Sequence, residues 1–139
     1  MRLGLSFAIV LLTIAGCGGS ELDTAPVRGT VTLDGAPYTA GGTVVFEPQT
    51  AGKMAMGKIQ PDGTYELSTY AASDGAVIGQ HIAVVREPAL VTDEAMEGMP
   101  VKSPPSMIPK KYQSSATSDL IFNVEAVEAN TFPIEMKSK

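Results

Sequence analysis

The chain of 139 residues has no tryptophan, one cysteine and one histidine. A single thiol excludes an internal disulfide, so any core has to hold by burial alone. A single imidazole excludes every metal centre or catalytic site that needs two or more histidines. Basic residues are also scarce, ten against fifteen acids, for a net charge of −5. That balance argues against nucleic acid as a partner and against electrostatic attraction to anionic lipid. Beyond residue 20 there is no long apolar run and no stretch with convincing helical amphipathicity.

What is present begins with Leu3 to Ala15, thirteen residues without a charge, preceded by Arg2 and followed by glycines, Ser20, Glu21 and Asp23. A membrane-crossing helix needs roughly 20 apolar residues, so this stretch reads as an export signal rather than a span. Ile14-Ala15-Gly16-Cys17 resembles the bacterial lipobox, an aliphatic and two small residues before a lipid-modified Cys. The resemblance implies a lipoprotein signal peptide over 1–16 and acylation at Cys17, followed by a flexible tether over 17–26. Removal of the signal takes Arg2 away and leaves 123 residues, with nine bases against fifteen acids and a net charge of −6. Each buried acyl CH₂ contributes about 0.8 kcal/mol, so two or three chains hold with little dissociation. The expected location is the cell envelope, at the outer membrane or periplasmic face rather than in the cytoplasm, with the membrane as a partner through Cys17.

From Val27 onward the apolar period is two. Val27, Gly29, Val31 and Leu33 alternate with Arg28, Thr30 and Thr32 before an Asp34-Gly35 turn. Further strands are expected at Thr43 to Glu47, Met54 to Ile59, Thr64 to Thr69, Ile82 to Val85, Leu120 to Glu125 and Phe132 to Met136. Gln60-Pro61-Asp62-Gly63 supplies a proline and a positive-φ glycine to join the third and fourth as a hairpin. The pattern predicts an all-β domain over 27–139, a seven-stranded antiparallel β-sandwich of Ig-like type.

Val27-Arg28-Gly29-Thr30-Val31-Thr32-Leu33-Asp34-Gly35, then Val44-Val45-Phe46-Glu47-Pro48, then Pro61-Asp62-Gly63-Thr64-Tyr65-Glu66-Leu67 is similar in order and spacing to the carboxypeptidase regulatory-like domain, a transthyretin-like (prealbumin-type) sandwich. The later pieces Asp74 to His81 and Ile108-Pro109-Lys110-Lys111-Tyr112 look like those of small bacterial lipoproteins built from one such domain. The resemblance implies a non-catalytic module that binds or scaffolds protein or polysaccharide. It carries over no catalytic residue and no cofactor.

Residues that could carry chemistry are few. His81 opens a strand after Gly79 and has no partner at a recognisable spacing, so it pairs with a backbone group or faces solvent. No Ser elbow or Ser-x-x-Lys motif is present. Asp62 and Asp74 sit beside glycines as turn formers, without the dense oxygen ligands of a calcium loop. Met54 and Met56, two apart, share a strand face, and thioethers suit Cu(I); a small-ligand or Cu(I) carrier is therefore the alternative function. The connection at 88–118 holds five prolines. Its first half, Thr92 to Gly98, has helix-capping character, and its second, Lys102 to Tyr112, is expected to be extended. This loop is either a partner surface carrying Met96, Met99, Lys110, Lys111 and the anchor Tyr112, or a lid that covers one sheet edge.

Overall fold

The computed structural model describes residues 21–88 and 105–139. Within them the chain forms β1 (Thr24–Ala25), β2 (Val27–Leu33), β3 (Ala36–Pro37), β4 (Thr43–Pro48), β5 (Ala55–Lys58) and β6 (Thr64–Glu66). These are followed by β7 (Ala76–Val77), β8 (Gly79–Arg86), β9 (Ile121–Val124), β10 (Asn130–Thr131) and β11 (Ile134–Met136), with one 3-10 turn at Lys110–Gln113. The described residues are thus all-β. All seven expected positions hold a strand, and the four additional strands have two residues each.

Period-two patterning decides which side chains enter the core. On β2, Val27 and Val31 are buried and Arg28 and Thr30 exposed. Asp34 and Gly35 both take positive φ, 51° and 84°, the conformation that a two-residue hairpin turn requires, and they place Leu33 opposite Ala36 of β3. A second sheet runs β5-β4-β8-β9 and is antiparallel throughout. The inward residues Val44, Phe46, Ala83, Val85 and Val124 of this sheet form one apolar cluster with Val27, Val31, Tyr65, Ile134 and Met136 of the β2 assembly. Phe46 lies at its centre, with ring centroids 5.4 Å from Phe122, 6.1 Å from Phe132 and 6.4 Å from Tyr65.

Four expectations need correction. The pairing is not antiparallel everywhere, because β10 and β11 run parallel to β2, with Asn130 opposite Val27 and Ile134 opposite Val31. After β9 the chain leaves one sheet and returns beside β2 in the same direction, an arrangement that alternation alone does not reveal. Thr24 and Ala25, expected in a flexible tether, instead pair with Val77 and Ala76, and Ala25 is buried in the core. The Gln60 to Gly63 turn forms, but its arms diverge. Residues 64–66 pair with β2 while β5 joins β4, and a single bridge between Met56 and Ser68 connects the arms. Finally, residues 110–113 are not extended. Pro109 presets φ at −57° and accepts the Tyr112 N–H at 3.0 Å, which closes a 3-10 turn and swings Tyr112 into the core.

The segment between β6 and β7 is held by one carboxylate. Asp74 accepts backbone N–H bonds from Thr69 at 2.6 Å, Tyr70 at 2.9 Å and Ala71 at 3.0 Å. Burial pushes its pKa up, yet the backbone donors, Thr69 foremost, outweigh burial and hold it below the ordinary carboxylate value. A group depressed in the folded state adds stability above its unfolded pKa, near 3.9, and loses it as pH falls through the folded value. Unfolding followed by denaturant between pH 6 and pH 2 should therefore show a stability loss starting near pH 4. Asp74→Asn, which cannot titrate, should flatten that loss while lowering stability at pH 6.

Candidate functional site

A groove of about 630 Å³ is lined by β2, β5 and β6, with β5 and β6 belonging to different sheets. Outward residues of β2 and β6 form its floor, where Arg28 lies opposite Glu66 and Thr30 opposite Thr64. Met56 and Lys58 of β5 form one wall, and Thr131, Ser68 and Ser73 complete the lining. Two glycines allow the strands to approach this closely. A Cβ on Gly57 would lie 2.3 Å from the Glu66 carbonyl oxygen, and one on Gly29 would lie 2.0 Å from that of Phe132. In the preceding turn, Asp62 accepts the hydroxyl of the lining residue Thr64 at 2.6 Å and its N–H at 3.0 Å, and these bonds, the hydroxyl first, hold the Asp62 carboxyl below its usual range. The groove therefore offers two cations, a carboxylate and a row of hydroxyls to a polar ligand. Among the described residues no three of His, Cys, Asp and Glu converge as metal ligands.

Sequence reasoning missed this groove, since the hairpin signal specifies a turn and not the sheet that each arm joins. Gly57 inside a strand was the available sign of close backbone approach.

The residues singled out from the sequence do not gather in one place. Ile14, Ala15, Gly16, Cys17, Met96 and Met99 lie outside the described residues, as does the expected turn of helix at Thr92 to Gly98. Lys110 is exposed. Lys111 is paired with Asp119 and lies 5.4 Å from the Tyr112 ring centroid. The hydrogen bond to Asp119 raises the Lys111 pKa and lowers that of Asp119. Tyr112 corrects the partner-anchor reading. It is 4% exposed, and its hydroxyl accepts the backbone N–H of Lys137 at 3.2 Å, just beyond β11. A ring buried in this way presents no surface to a partner.

His81 is fully buried 5.8 Å from the Phe46 centroid and bonds the Val77 carbonyl through Nε2 at 2.6 Å, while Nδ1 has no partner. Met56, on β5 and lining the groove, is 55% exposed, and Met54, in the connection before β5, is 49% exposed. No helix among the described residues is long and apolar enough to cross a membrane.

The fold and groove define an all-β protein with a polar surface cleft. The chain matches no protein-family model, no curated protein and no solved structure.

Proposed function

We propose that the chain is a lipid-anchored envelope lipoprotein, tethered through Cys17, whose carboxypeptidase regulatory-like, seven-stranded β-sandwich is a non-catalytic module that binds protein or polysaccharide. The groove between the β5 and β6 arms carries this reading. It is open, polar and about 630 Å³ in volume, and it presents Arg28 and Lys58 on a chain of net negative charge. Its hydroxyls and opposed charges suit hydrogen bonding along an extended polar chain better than enclosure of an apolar molecule. The two facing sheets and the order of their strands support the sandwich reading, and the lipobox-like Ile14-Ala15-Gly16-Cys17 supports the anchor. His81 is sealed in the core, away from the groove, which agrees with a binding role.

One experiment in intact cells tests both halves. Cys17→Ser should move the protein from the membrane fraction to the soluble fraction; unchanged sedimentation removes the anchor. A photo-crosslinking residue at Thr30, inside the groove, should give a discrete adduct that the same group at Ala36 does not give. Equal labelling at both positions removes the groove as the contact.

The exposure of both Met54 and Met56 favours a second reading, a Cu(I) carrier that uses thioether ligands. Titration of the reduced protein against a Cu(I) chelator should then show binding that the Met54→Leu/Met56→Leu double variant loses.

A further inference from the structure

The seven large apolar side chains that stand exposed among the described residues are unevenly placed. Four of them, Leu22, Met54, Ile78 and Val127, lie at the end of the molecule where the chain enters. Leu22 precedes β1, Met54 lies in the β4–β5 connection, Ile78 joins β7 to β8, and Val127 lies between β9 and β10. Leu22 and Ile78 line a notch of about 370 Å³ together with Asp23, Thr50, Ala51 and Val77. The notch is structured rather than loose: the Ile78 N–H donates to the Asp23 carbonyl at 3.0 Å, and Leu22 donates its N–H to the Tyr70 hydroxyl at 3.3 Å. Lys53 stands 5.6 Å from the Tyr70 ring centroid. A Tyr and a Lys beside protruding aliphatic residues match the layering of a lipid interface, with apolar tips below and amphipathic side chains at headgroup level.

Position selects the occupant. Leu22 is five positions after Cys17, so even a fully extended chain keeps Leu22 within about 18 Å of Cys17. We infer that Leu22, Ile78 and the β4–β5 turn form a membrane-facing foot that seats the domain on the bilayer and directs its opposite end, at the Asp34-Gly35 turn, away from the lipid. Glu21 and Asp23 flank the foot, so seating is driven by apolar contact rather than by anionic headgroups. Leu22 and Ile78 are 39% and 38% exposed, and burial of that exposed part of both favours the foot-down orientation by about tenfold. This inference rests on the proposed acylation of Cys17.

The test uses the acylated protein in phosphatidylethanolamine/phosphatidylglycerol vesicles. Acylation blocks Cys17, so an introduced cysteine is the one free thiol and takes a fluorophore. Label at Ala51→Cys should be quenched severalfold more by spin-labelled lipid than label at Ala36→Cys, and added salt should not change the ratio. Leu22→Asp with Ile78→Asp should remove the difference while the protein stays membrane-bound. Equal quenching at both positions with Cys17 shown acylated by mass overturns the foot alone, as does quenching that survives the double substitution. An unacylated Cys17 overturns the anchor and the foot together.

Discussion

Phe46→Ala is expected to destabilise the domain by about 3–5 kcal/mol, read as a fall in the denaturant midpoint with little change in slope. Phe46 is fully buried and touches both sheets through aromatic neighbours. Its ring is nearly coplanar with that of Phe122, 8° at 5.4 Å, and Phe122 in turn stacks on Phe132 at 4.8 Å. Phe122 belongs to β9 in one sheet, and Phe132 directly follows β10 in the other. The column thus spans the layers. Truncation leaves a cavity lined by rigid rings and by His81, which cannot collapse into it without leaving the Val77 carbonyl. Phe46→Leu isolates the contribution of the rings. It retains most of the volume, so a cost above about 1.5 kcal/mol measures lost aromatic pairing rather than lost bulk. With no disulfide available from one cysteine, nothing covalent offsets either loss.

The same core explains which parts of the fold were legible in the sequence. Strand β2 and its turn were read directly, since alternation and an Asp-Gly pair at positive φ are local signals that need no knowledge of the partner strand. The parallel course of β11 was not. Ile134 and Met136 alternate in the same way whether their neighbour runs with them or against them, so direction depends on a crossover that the residues do not encode. Tyr112 is a related case. An amphipathic ring reads equally well as an exposed anchor or a buried plug, and the amide of Lys137, 25 positions away, decides between them. The groove escaped notice because Gln60 to Gly63 specifies a reversal and leaves open that the two arms enter different sheets. One apolar residue beside Pro26 carries no period, so the sequence offers no sign that Ala25 is buried; its burial depends on Gly75 and Ala76 coming alongside it.

Gly75→Ala tests that last contact, with an expected loss of about 3–5 kcal/mol. Two costs combine. Gly75 has φ +86°, a conformation that costs an L residue roughly 1–2 kcal/mol. In addition, its Cβ would lie 1.8 Å from the Ala25 carbonyl oxygen and 2.7 Å from the Pro26 Cα, backbone atoms that cannot turn aside as a flexible side chain would. Relief requires β1 to separate from β7, which exposes Ala25 and disturbs the Gly75 N–H bond to the Leu67 carbonyl and the Thr69 hydroxyl bond to the Gly75 carbonyl. Gly35→Ala is the matched control. Its φ is nearly the same, +84°, but nothing lies within 4 Å of an added Cβ, so it carries only the conformational cost of about 1–2 kcal/mol. The difference between the two variants in the same denaturant titration therefore reports the close approach itself, and equal losses would show that β1 yields freely. Loss of the β1–β7 pairing would also free Thr24 and Ala25 from the sheet and lengthen the chain between Cys17 and the first paired strand. If the foot seats on lipid, Gly75→Ala should then weaken quenching at position 51 more than Gly35→Ala does, which ties a single backbone contact to the orientation of the domain at the membrane.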